Sequence, residues 1–160
     1  MNILDAYSQK VLSIFNDENV EYVVVGGYAV NYYGYRRTTG DIALWIKPNN
    51  GTNKNKVLNA LTRLGVEEES IAYLNSLDFT SPIVFADGEE PYKIDFMTHL
   101  AGKVDFDLAY SAKIVAKYDG VEIPFIHYKD LITSKISSSR LKDRLDVETL
   151  QKINEGKFDL

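Results

Sequence analysis

The run Tyr22-Val23-Val24-Val25 stops at Gly26-Gly27, and no other stretch constrains the fold as much. β-Branched side chains favour a buried strand, and glycine takes positive φ without steric cost and lets another group approach the backbone closely. The expectation is a central strand and a tight turn. A short helix over Tyr28 to Tyr33 follows, stopped near Gly34, and its free backbone N–H groups would suit a phosphate lying over the glycines.

A second strand begins after a polar loop, residues 35 to 40, that carries Arg36, Arg37, Thr38 and Thr39. In Asp41-Ile42-Ala43-Leu44-Trp45-Ile46, Ile42, Leu44 and Ile46 point one way, and Asp41, Ala43 and Trp45 the other. A carboxylate at residue 41 therefore needs its companion at residue 43, not 42, if both are to face one cation. Residue 43 is alanine. The chain has the frame of a two-carboxylate site and half of its first pair.

The remaining elements follow from periodicity and punctuation. Residues 3 to 18 read as an amphipathic helix with Ile3, Leu4, Tyr7, Val11, Ile14 and Phe15 on one side. A helix over about 53 to 64 ends at Gly65, and a shorter one uses Ile71, Leu74 and Leu77. Pro82 to Ala86 and Tyr92 to Met97 read as strands joined through Asp87-Gly88. In the second of these, Asp95 shares the polar face with Lys93 and Met97, so it could meet Asp41 across neighbouring strands. Residues 107 to 112 read as helical. Asp119-Gly120 between Ile114–Tyr118 and Val121–Ile126 signals a hairpin. Two helices finish the chain, over about 129 to 137 and 141 to 153, the latter with Leu141, Leu145 and Leu150 inward. The expected architecture is α/β (α+β), a mixed twisted sheet flanked by helices, as one domain over 1–160.

Composition narrows the classes. Of 160 residues 45% are hydrophobic and 26% charged, as in ordinary globular chains. No apolar run could span a bilayer, and the N-terminus lacks the pattern of a secretory signal, so the expectation is a cytoplasmic protein without a membrane partner. Cysteine is absent, which excludes disulfides and thiolate metal sites. A net charge of −5 argues against broad polyanion binding but permits a local basic groove.

The ordered set of apolar strand, Gly26-Gly27, short helix and Asp41-x-Ala43 resembles the nucleotidyltransferase superfamily related to DNA polymerase β, whose pattern is Asp-x-Asp. Within it, Arg36-Arg37-Thr38-Thr39-Gly40-Asp41-Ile42 is similar to a family of small stand-alone bacterial nucleotidyltransferases, some of them toxin or phage-defence components. The resemblance continues through Tyr92-Lys93-Ile94-Asp95-Phe96 and Asp130-Leu131-Ile132 to Arg140-x-Lys142-Asp143-x-x-Asp146-Val147. In that family the position of Ala43 is normally aspartate.

The resemblance implies transfer of a nucleoside monophosphate from a nucleoside triphosphate to a hydroxyl acceptor. Two dications about 3.5–4 Å apart can hold the attacking and leaving oxygens, and magnesium (or manganese) takes hard oxygen ligands. Asp41 and Asp95 are the candidate ligands and catalytic carboxylates, with residue 43 the missing third; no general base is assigned, Asp95 being the best candidate by resemblance and a metal-lowered hydroxyl pKa the alternative. Gly26, Gly27, Arg36, Arg37, Thr38, Thr39 and Lys135 are the candidate nucleotide contacts, with Arg140 a weaker one. Proteins of this fold modify RNA ends, protein hydroxyls and antibiotics. The association with toxins and defence points to tRNA or a protein side chain as acceptor, and to an antitoxin as a possible partner.

Each residue has a plainer reading. Gly26-Gly27 can simply turn the chain, Asp41 can bond backbone in a turn, and Asp95 can pair with Lys93. Lys142, Asp143, Arg144 and Asp146 look like exposed helix charges, with Lys142 and Asp146 spaced for an i,i+4 pair. Tyr32, Tyr33 and Tyr35 could stack on a base or pack. His99 and His127 have no metal-ligand spacing. Ala43 fits an engineered inactive form, a natural loss leaving a regulatory or partner-binding module, or a site that recruits another carboxylate. The first is favoured because the neighbouring motif residues remain in place, so the chain should be an impaired enzyme.

Overall fold

The structure, a computed structural model, describes residues 5–36, 40–89 and 92–156. Ile3 and Leu4 of the expected first helix, and Arg37, Thr38 and Thr39 of the expected nucleotide loop, lie outside the described residues. Helix α1 (Ala6–Asp17) starts at Asp5, whose carboxylate accepts a hydrogen bond from the Ser8 N–H at 2.7 Å. This satisfies one of the donors that a helix N-terminus leaves open. The helix buries Val11, Leu12, Ile14 and Phe15.

Strand β1 (Tyr22–Val25) is buried at all four positions and runs directly into α2 (Gly26–Tyr32). The helix therefore begins at the glycines, two residues earlier than the sequence suggests. Gly26, at φ +66°, makes the corner. A Cβ there would stand 3.1 Å from the Ala43 Cβ, so this glycine is required by close approach as well as by conformation. At the other end Gly34, at φ +109°, stops the helix: its N–H bonds to Asn31 O while the Tyr35 N–H bonds to Val30 O, the paired pattern of a Schellman end.

The chain continues through β2 (Asp41–Ile46), α3 (Thr52–Arg63), α4 (Glu68–Asn75), β3 (Val84–Asp87) and β4 (Lys93–Met97). Then come α5 (Phe106–Ala112), β5 (Ile114–Tyr118), β6 (Val121–Phe125), α6 (Tyr128–Ile136) and α7 (Leu141–Asn154). The strands form one six-stranded mixed sheet in the order β3-β4-β2-β1-β6-β5. β2 is parallel to β4 and β1 to β6, and the other pairs are antiparallel. Asp119 and Gly120 both take positive φ between β5 and β6, as a two-residue hairpin turn requires.

The β2–β4 pairing positions the site. Its register sets Ile42 beside Ile94 and Leu44 beside Phe96, all buried, so the apolar alternation of both strands faces one core. The same register sets Asp41 beside Lys93 and Ala43 beside Asp95 on the opposite face. Trp45 also lies on that face but is covered: its ring meets Phe106 edge-on at 5.1 Å, and its indole N–H donates to Thr98 O at 2.9 Å. The polar face is thus open at its Asp41 end and floored at its Trp45 end.

Helix α7 departs from expectation. Leu141 and Leu145 are exposed; the inward stripe is Asp143, Asp146, Val147 and Leu150. The spacing is that of one helical face, but two of its members are carboxylates. The physical reason is Lys135 of α6, whose buried ammonium lies 3.0 Å from Asp143 Oδ1 and 2.9 Å from Asp146 Oδ2. An unpaired buried ammonium would be costly, so this pairing, not leucine content, sets the rotation of α7. Asp143 and Asp146 are therefore not the solvated charges they resemble in sequence.

Gly26→Ala should destabilise the protein by about 1–2 kcal/mol, because an L-residue is forced into left-handed backbone against Ala43. A urea unfolding midpoint lowered accordingly is the expected result, whereas an unchanged midpoint would contradict the tight corner.

Candidate active site

A cavity of about 670 Å³ opens over the polar face of β2 and β4. Its lining includes Gly26 and Gly27 at the α2 corner, Gly40 just before β2, Asp41 and Ala43 of β2, and Asp95 and Met97 of β4. Ser134 and Lys135 of α6, and Ser138, Arg140, Lys142 and Asp143 at the α6–α7 junction, form the facing wall. Val84, Leu100, Ala101 and Leu131 add apolar surface. The paired glycines, residues 41, 43 and 95, and Lys135 thus border one space, although they come from separate parts of the sequence.

Asp41 and Asp95 are neighbours within hydrogen-bonding reach. Lys93 lies between them, its Nζ 3.7 Å from Asp41 Oδ2 and 3.7 Å from Asp95 Oδ1. The plainer reading of Asp95 as a partner of Lys93 and the reading of Asp95 as a site carboxylate are therefore both present. Burial pushes the Asp95 carboxyl up to about 6, the adjacent Asp41 carboxylate adds to the rise, and Lys93 only partly offsets it. Two acids held side by side against partial burial form a site of concentrated negative charge, which favours either a proton or a cation.

On the facing wall the balance is reversed. Burial alone would raise the Asp143 carboxyl, but hydrogen bonds from Ser138, Lys135 and Arg140 hold it down at about 2. Arg140 grips the same carboxylate through Nε at 3.0 Å and an Nη at 3.2 Å while most of its side chain stays exposed. Asp143 is thus committed to cations of its own wall.

Among the described residues, no group of three or more His, Cys, Asp or Glu side chains is arranged to hold a metal ion. Asp41 and Asp95 fit one hard dication completed by phosphate oxygens and water, a usual arrangement for magnesium. They do not make a three-carboxylate cradle for two ions. The donor set present therefore fits one cation.

Arg36 is exposed at the start of its loop and does not line the cavity. Tyr32 stacks on Phe125 with ring centres 4.1 Å apart, and the Tyr33 hydroxyl donates to Ile126 O at 2.6 Å. Both tyrosines are committed to packing. His127 caps α6, accepting from the Lys129 N–H, and His99 Nδ1 lies 2.9 Å from the Thr98 hydroxyl. Ser134, Ser138 and Asp143 were not singled out as site residues from the sequence. The one available cue was their clustering around Lys135 and Arg140, which periodicity reads as an ordinary helix junction.

The elevated Asp95 carboxyl gives a pH prediction. Its folded value lies above its ordinary 3.8, so protonation favours the fold and that stability is lost as pH rises through about 6. Asp95→Asn should therefore match the parent below pH 3.8 and become increasingly the more stable of the two through pH 6. Melting temperatures of both proteins across that range, without added metal, check this; an Asn variant that is less stable above pH 6 would contradict it.

No family model matches the chain, and no curated protein matches its sequence. The structure is similar to the crystal structure of the lincosamide antibiotic adenylyltransferase LnuA with lincomycin bound, with a TM-score of 0.56 and 16% sequence identity. The match covers 96% of this chain and 99% of that one. The chain has a nucleotidyltransferase-like fold.

Proposed function

We propose that this protein carries the site of a metal-dependent nucleotidyltransferase that moves a nucleoside monophosphate from a triphosphate to a hydroxyl acceptor, and that Ala43 leaves it impaired. The observation that carries the reading is the meeting of Asp41 and Asp95 beside Gly26-Gly27 in one cavity. Carboxylates crowded together with partial burial are stabilised by a dication, and glycine backbone permits close approach of a triphosphate.

The residues divide the work as follows. Asp41 and Asp95 would hold magnesium or manganese, which when bound neutralises phosphate charge and lowers the pKa of an attacking hydroxyl. By resemblance Asp95 is also the candidate to take the acceptor proton, from a hydroxyl that the bound metal would already have made more acidic. Gly26 and Gly27 offer backbone to the phosphates. Arg140 and Lys142 supply positive charge across the cavity. Lys135 directs its ammonium at Asp143 and Asp146, leaving one of three donors for a phosphate, so much of its contribution is to hold that wall in place. Arg36, Arg37, Thr38 and Thr39 remain candidate phosphate contacts from the loop before β2.

The acceptor reading is a tRNA end or a protein side chain, in the setting of a toxin or phage-defence component, with an antitoxin as the matching partner. LnuA, by its name an adenylyltransferase of a lincosamide antibiotic, adds an antibiotic as a third acceptor class. The competing reading is a catalytically dead module that binds a partner protein. It is favoured by Ala43 itself and by Lys93, which already offsets part of the carboxylate charge.

Two outcomes separate these readings. Ala43→Asp should raise magnesium- or manganese-dependent transfer of labelled nucleotide by at least about 100-fold, since even residues that merely orient metal ligands are worth 10–100-fold. Mass spectrometry of RNA, protein and small molecules after exposure to the variant would find the added nucleoside monophosphate; no label on any acceptor with all four ribonucleotides would sink the enzyme reading. Independently, a triphosphate plus manganese should raise the melting temperature of the unaltered chain, and Asp41→Ala should abolish that rise. A dead partner-binding module predicts no nucleotide-dependent rise in either protein.

A further inference from the structure

The site face of β2 and β4 is a small square of side chains fixed by a parallel register. Asp41 and Ala43 stand on one strand, with Lys93 and Asp95 beside them on the other. Lys93 has its ammonium 3.7 Å from each carboxylate, and each of the three side chains is between a fifth and a third exposed. Lys93 does not line the cavity itself, so its ammonium reaches both carboxylates from beside the space a cation would enter. We propose that Lys93 is the resident counter-cation of the Asp41–Asp95 pair and a specificity-determining residue: it excludes free dications and admits a dication that arrives with a triphosphate.

Charge separates the two ligands. Asp41 and Asp95 contribute two negative charges, and Lys93 returns one positive. A free dication entering this square meets the ammonium at short range, with twice the repulsion between two unit charges at that distance. A dication carried by a triphosphate brings excess negative charge, so the same ammonium attracts the complex instead. Ala43 sharpens the effect, because an aspartate there would add a third negative charge next to Asp95 and raise the net negative charge available to a free ion from one to two. The flexible four-carbon stem of lysine lets the ammonium shift from carboxylate to phosphate oxygens without moving the strand. This inference rests on the nucleotidyltransferase reading only for the identity of the anionic ligand.

The test uses the full chain and two probes: manganese alone, and manganese with a nonhydrolysable nucleoside triphosphate, each titrated with the carboxylates ionised. Lys93→Met should tighten free-manganese binding by roughly tenfold or more while failing to tighten, or weakening, binding of the manganese–triphosphate complex. Lys93→Arg, which keeps the charge, should bind free manganese as weakly as the parent. Without metal, Lys93→Met should melt below the parent, and manganese should raise its melting temperature by more than it raises the parent's. Should Lys93→Met not fold without metal, Lys93→Gln serves in its place.

The proposal is overturned if neutralising Lys93 leaves free-manganese affinity unchanged or reduced, if Lys93→Arg behaves as Lys93→Met does, or if no form binds manganese. If free manganese behaves as expected but triphosphate has no effect on any form, the ion-excluding role stands. The nucleotide preference and the nucleotidyltransferase reading then fall.

Discussion

The parallel pairing of β2 with β4 is the constraint on which the site depends. It is held by the apolar side of those strands, where Ile42, Leu44, Ile94 and Phe96 are buried. Because side chains alternate, fixing that face fixes the other, and a one-residue slip would exchange the core for the cavity. The register forces Asp41 and Asp95 together whether or not a ligand is present. A protein selected for stability alone would not place two partly buried acids side by side. The elevated Asp95 carboxyl is the strain of that arrangement, relieved partly by Lys93 and, on the proposed reading, more fully by a dication.

The opposite wall solves a different problem. Lys135, Asp143 and Asp146 form a buried ionic group that contributes little certain stability, since desolvation of three charges offsets much of their attraction. Its effect is geometric. The group ties α7 to α6, and so holds in place the junction from which Arg140 and Lys142 line the cavity. An acidic floor thus shares one cavity with a wall that carries Lys135, Arg140 and Lys142, and on the proposed reading that pairing receives a phosphate-bearing ligand bridged by a cation.

Much of this was legible in the residue pattern. A β-branched run ending on two glycines gave β1 and the α2 corner, strict alternation gave the two faces of β2, and Asp119-Gly120 gave the β5–β6 hairpin. Period alone puts Asp41 and Asp95 on the polar faces of their strands; that the two acids meet depends on the pairing of β2 with β4. What failed was the face of α7. Periodicity assigns leucines inward and charges outward, and it contains no term for a buried lysine on another helix that needs two carboxylates. The double role of Lys93 was likewise hidden, because pairing with Asp41 depends on which strands are neighbours and not on its own sequence position.

The most direct measurement of the central claim is a manganese anomalous difference map from crystals grown with a nonhydrolysable nucleoside triphosphate. The account predicts a peak coordinated by Asp41 and Asp95, with the triphosphate running from it along Gly26-Gly27 toward Arg140 and Lys142. A well-ordered triphosphate bound elsewhere, or a manganese peak that avoids both carboxylates, would contradict it.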